Sequence, residues 1–136
     1  MPRSKGARRP GATAREARYH GIFVQEGLSD PAILRDLMVV GRKQGANWTL
    51  LRVEVGGEDF WSLVAKIQSS LKVDGGIPYY AHFYRPGELV VIFPKRVFRI
   101  APETRTWGPA VEYGRSKGIP PAELDFAPCR YEDESF

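Results

Sequence analysis

The stretch YYAHFYRPGELVVIF, residues 79–93, decides the fold. Two apolar-aromatic runs, Tyr79 to Tyr84 and Leu89 to Phe93, flank Arg85-Pro86-Gly87-Glu88. Such runs on either side of a Pro-Gly turn read as a β-hairpin. Side chains alternate along a strand, so Tyr80, His82 and Tyr84 share one face and Tyr79, Ala81 and Phe83 the other. Pro94 cannot donate to a ladder, which predicts an edge or a bulge at that point, with Val97 to Ile100 resuming the strand.

Upstream of the hairpin, His20, Ile22 and Val24 alternate with Gly21, Phe23 and Gln25, a first strand. Asp30-Pro31 supplies an N-cap followed by proline at the first helical position. Ile33, Leu34, Leu37, Met38 and Gly41 then fall on one helical stripe, and Gly45 offers a stop. Leu51, Val53 and Val55 return to period two, with Leu50, Arg52 and Glu54 on the opposite face. Asp59 can cap a second helix with the stripe Phe60, Leu63, Val64, Ile67 and Leu71, closed by Asp74-Gly75-Gly76. Downstream, Gly108-Pro109 opens a third helix that Gly118 ends, and Pro120-Pro121 permits one further turn.

The resulting order is β-α-β-α-β-β-α. A helix between the first two strands implies a parallel pair joined by a right-handed crossover. The fold class is therefore α+β in two layers, a mixed four-stranded sheet with helices mainly on one face. The ferredoxin-like order differs, since there the second and third strands form a hairpin before the second helix.

Length and charge bound the rest. A chain of 136 residues, 43% hydrophobic and 26% charged, fits one soluble domain. No apolar run reaches the ~20 residues of a membrane span, and the basic N-terminus has no apolar region behind it. A cytoplasmic location and no membrane partner are expected. The single cysteine, Cys129, excludes an internal disulfide. The net charge is +4, but Arg3, Lys5, Arg8, Arg9, Arg15 and Arg18 against Glu16 place +5 in residues 1–18 and −1 in the remainder. Residues 1–18 read as a disordered basic arm. Residues 19–136 form the domain, ordered over about 19–131, with Glu132-Asp133-Glu134 a solvated acidic tail. A body near neutrality lacks the stripe of a dedicated nucleic-acid fold, so nucleic acid is expected only through Arg3, Lys5, Arg8 and Arg9.

No catalytic signature is present. Two-faced alternation in the strand around Arg52 leaves one sheet face partly polar, since a strand buried on both sides reads as a continuous apolar run. That face is expected to gather Gln25, Arg52, Glu54, Tyr80, His82 and Tyr84. They could form a concave site for a small polar or anionic ligand, with His82 as an acid-base group oriented by Glu54. The same residue types suit a homodimer interface or a face covered by the C-terminal segment. Cys129 beside Arg130 could be a reactive thiolate, but a lone cysteine without a motif reads as an inert buried residue. His20 and His82 lie at no metal-ligand spacing, and neither a metal nor a cofactor is expected. Lys95, Arg96, Arg99 and Arg105 follow the hairpin, where charges also guard a sheet edge. Neither the strand order nor a motif of an RNA-recognition sheet accompanies them. The leading expectation is a non-enzymatic binding or assembly module that uses this mixed aromatic-polar face, in a chain expected to form a homodimer, with a His82 enzyme and an RNA-associated protein as alternatives.

Overall fold

The hairpin of residues 79–93 forms the centre of the molecule. A computed structural model describes residues 18–136. The arm residues Arg3, Lys5, Arg8 and Arg9 lie outside the described residues, whereas Arg18, counted with that arm, is the first residue of a strand. Strand β1 (Arg18–Val24) is followed by 3-10 turns at Gln25–Gly27 and Pro31–Asp36. Next come β2 (Met38–Gln44), β3 (Thr49–Gly56), helix α1 (Gly57–Ser70) and the short ribbon β4 (Val73–Asp74) and β5 (Ile77–Pro78). Strands β6 (Ala81–Arg85), β7 (Glu88–Phe93) and β8 (Arg96–Ile100) lead to α2 (Gly108–Ser116), with further turns at Pro121–Glu123 and Tyr131–Asp133.

Among the described residues the sheet has six strands, not four, in the order β2-β3-β1-β6-β7-β8, and every pairing within it is antiparallel. Two local readings account for the difference. The first concerns residues 31–44. Asp30 does cap, its Oδ1 accepting from the Ala32 amide at 3.0 Å with Pro31 behind it. Only a 3-10 turn follows, and Met38–Gln44 is a strand. Adjacent β-branched Val39 and Val40 favour extended backbone. The ladder to β3 then satisfies the donors that a helix would have used. With a strand in place of the helix there is no parallel crossover, and β1 pairs antiparallel with β3. The second concerns Pro94. Phe93 pairs with Arg96, so Pro94-Lys95 is the turn into a separate antiparallel strand rather than a break in one.

Helix α1 carries the apolar stripe expected of it, with Phe60, Leu63, Val64 and Ile67 buried. Its cap is Gly56 rather than Asp59, which sits in the first turn. Asp74-Gly75-Gly76 lies beyond the helix, in the ribbon turn, where Gly75 and Gly76 take φ of 62° and 84°. The stripe packs on Phe23, Val53, Phe83 and Val90, and Tyr19 stacks on Phe60 with ring centres 3.8 Å apart. The opposite face is covered as well. Ile22, Tyr84, Val91 and Phe93 pack under Ala110 of α2 and under Phe126 and Cys129 of the C-terminal segment. The domain therefore has three layers, with helices on both faces of the sheet rather than mainly on one. β7 is buried on both faces for that reason, after a partly exposed first residue.

Candidate functional site

Antiparallel register assembles the polar face. His20 of β1 stands opposite Glu54 on one side and Tyr84 on the other, and Ile22 stands between Arg52 and His82. Alternation then places His20, Arg52, Glu54, His82 and Tyr84 on one face. Gln25 does not join them. It follows β1 in a 3-10 turn, and its side-chain oxygen accepts a hydrogen bond from Arg42 Nη1.

The chain's own C-terminal segment closes this face. Tyr80 donates from its hydroxyl to the Glu123 carbonyl at 2.6 Å. His82 Nε2 lies 2.9 Å from the Pro128 carbonyl, and because a carbonyl only accepts, Nε2 carries the proton. Tyr84 donates to Glu134 Oε2 at 2.6 Å, and His20 Nδ1 lies 2.5 Å from the same oxygen. Arg52 Nη1 reaches Glu134 Oε1 at 3.2 Å, and its Nε donates to the Phe136 carbonyl. Tyr131 stacks on the His20 ring at 4.0 Å and donates to the Arg18 carbonyl at 2.6 Å. Glu54 is bound by Arg18 Nε at 3.2 Å.

Glu134 is thus a correction to the reading of residues 132–134 as a solvated tail. Glu132 and Asp133 are exposed, but the Glu134 side chain is only 6% exposed and the His20 side chain against it 0%. Three donors on one carboxylate offset the cost of taking its charge out of water. His20, Tyr131 and Glu134 are the residues that sequence reasoning missed. Only the pairing of β1 with β3 and β6 brings them to Glu54 and Tyr84.

Burial sets the protonation states. It pushes the His82 imidazole down from 6.5 to about 4, partly countered by the Pro128 hydrogen bond and the charge of Asp125. The phenols of Tyr80 and Tyr84 are pushed well up, first by burial and, for Tyr84, also by the hydrogen bond to Glu134. Burial likewise raises the Cys129 thiol despite the opposing charge of Arg130, and its Sγ points to the Pro102 carbonyl at 3.6 Å. It is a packed thiol, not an activated one.

A groove of about 500 Å³ remains open beside the closed face. Ile22, Leu50 and His82 contribute from the sheet, Trp48 from the β2–β3 connection, and Asp74 and Ile77 from the ribbon. Tyr79 and Tyr80 precede β6, and Ile119, Glu123 and Asp125 come from the C-terminal segment. Trp48 and Ile77 are exposed at 43% and 42%, large for apolar side chains. Among the described residues no lysine or arginine lines the groove. Among the described residues no group of three or more His, Cys, Asp or Glu side chains is placed to hold a metal. No described helix is long and apolar enough to cross a membrane. No protein-family model, curated protein or solved structure matches the chain.

Proposed function

We propose that the protein is a non-enzymatic binding module whose ligand occupies the groove beside the polar-aromatic face. The groove itself carries this reading. Its volume suits a small organic molecule, and it joins apolar and aromatic walls to a few polar groups, as ligand sites do. Among the described residues, three carboxylates, Asp74, Glu123 and Asp125, and no lysine or arginine line it. The ligand is therefore an organic cation with an apolar body, rather than the anion expected from Arg52, whose guanidinium is engaged by Glu134 and Phe136. Trp48 and Tyr79 line the groove, and aromatic rings are the side chains that attract a cationic group.

Binding is favoured over proton transfer because His82 is tied to a backbone carbonyl and held neutral far below physiological pH. A general acid-base group works best with a pKa near the operating pH. Association through Tyr84 and His82 would require displacing the chain's own C-terminal segment, which already buries both.

The test is a titration followed by Trp48 fluorescence and melting temperature. The probes are benzyltrimethylammonium and, as the anionic match, phenylacetate. The cation should raise the melting temperature with concentration, Trp48→Ala should abolish the effect, and phenylacetate should do nothing. Equal response to both probes, or to neither, would refute the reading.

A further inference from the structure

The groove and the N-terminal arm are complementary in charge. Asp74 of the β4–β5 ribbon and Glu123 and Asp125 of the C-terminal segment line the groove and are exposed. Among the described residues none of the three carboxylates forms an ion pair. Residues 1–17 lie outside the described residues and hold Arg3, Lys5, Arg8, Arg9 and Arg15 against Glu16. That balance of +4 is the whole net charge of the chain. An arginine or lysine side chain is itself a cation on an apolar stem, and a guanidinium also stacks on aromatic rings such as those of Trp48 and Tyr79.

We propose that the arm is the groove's internal ligand: a cationic side chain from the stretch Arg3 to Arg9 enters the groove, and an external organic cation must displace it. The inference rests on the reading of the groove as a cation site and adds its regulation. Reach selects the stretch. The arm joins the domain at Arg18, and Val24, which lines the groove, ends the same strand six residues on, about 20 Å away. Arg15, three residues before Arg18, extends no more than about 10 Å from it and falls short. Arg9 and Arg3, nine and fifteen residues before Arg18, extend to about 30 and about 50 Å, enough to pass over the C-terminal segment. The stretch is also slender, since Gly6 and Ala7 precede Arg8-Arg9 and Pro10-Gly11 follows. Tethering adds a high effective concentration, so a weak contact suffices to occupy the groove.

Two measurements on the full chain test the inference. The first is calorimetric titration with benzyltrimethylammonium. An arm that fills the groove about nine-tenths of the time weakens apparent affinity about tenfold. The full-length variant with Arg3, Lys5, Arg8 and Arg9 all changed to Gln should therefore bind about tenfold more tightly than the wild type, and Arg15→Gln should match the wild type. A control with the exposed Arg35, Lys95, Arg105 and Lys117 changed to Gln removes as much charge elsewhere and should stay within about twofold. The second measurement needs no ligand. A nitroxide on Gly6→Cys, with the buried Cys129 left unlabelled, should broaden the indole N–H signal of Trp48 but not that of Trp61 on α1, and excess benzyltrimethylammonium should relieve the broadening. A Trp48 signal untouched by the nitroxide would overturn the inference. So would equal affinity of the wild type and the four-site arm variant, which would leave the groove to external ligands alone. A probe bound by neither protein would instead refute the cation site itself, and the inference with it.

Discussion

At Glu134 one buried carboxylate receives Tyr84, His20 and Arg52, and this single residue ties the C-terminal segment to three strands. Removing one partner of such a cluster leaves the others buried without compensation. Glu134→Ala should therefore cost about 2–4 kcal/mol in urea unfolding at neutral pH. Glu132→Ala, two residues away and exposed, should stay within about 0.5 kcal/mol. Comparable effects would mean that Glu134 does not hold the segment. His82 makes a second prediction, with a definite sign. Its folded value is about 4 against an ordinary 6.5. Above pH 6.5 the imidazole is neutral in both states and its contribution is complete. As pH falls from 6.5 toward 4, the unfolded chain takes up a proton that the folded chain refuses, and stability declines. The loss approaches an order of 3 kcal/mol. His82→Gln, which has no proton to gain in this range, should unfold with a flatter pH dependence. Equal slopes for the two proteins would contradict a buried neutral imidazole.

At the scale of elements, α1 and the β6–β7 hairpin were legible because each satisfies one period strictly. Phe60, Leu63, Val64 and Ile67 repeat at 3.6, and the two hairpin strands flank a turn in which Gly87 takes φ 80°. Leu63→Ala should cost ~2–5 kcal/mol, while the exposed Lys66→Ala should change little. Gly21 was not legible. A Cβ there would lie 2.3 Å from the Phe83 ring, so Gly21→Ala should destabilise by about 1–3 kcal/mol through overpacking of the β1–β6 pair. Residues 31–44 misled because Ile33, Leu37 and Gly41 satisfy a helical spacing and Val39-Val40 a strand. The choice belonged to β3, whose ladder is distant in sequence until Gly45 turns the chain back with its amide on the Trp48 carbonyl at 2.8 Å. The candidate site was legible in half. Arg52, Glu54, Tyr80, His82 and Tyr84 share their side of the sheet by alternation alone, but Gln25 was assigned to it through the wrong parity of β1. Its closing partners Glu134 and Tyr131 are more than a hundred residues from His20 and Arg18, and no local pattern marks them.

For the whole molecule, the central claim is that residues 123–136, with α2, form the third layer, shut the polar-aromatic face, and leave the adjoining groove open. His82 reports on this from the middle of the layer, with the Phe126 ring 6.3 Å from its own and Pro128 on its Nε2. The most direct measurement is an imidazole ¹H–¹⁵N spectrum of the full chain followed from pH 7.5 to pH 5, with nuclear Overhauser contacts recorded at the start. A closed face predicts a single neutral tautomer of His82 with its proton on Nε2, no titration across that range, and cross-peaks from its ring to Phe126. A His82 signal that titrates near 6.5 and shows no contact with Phe126 would contradict the account.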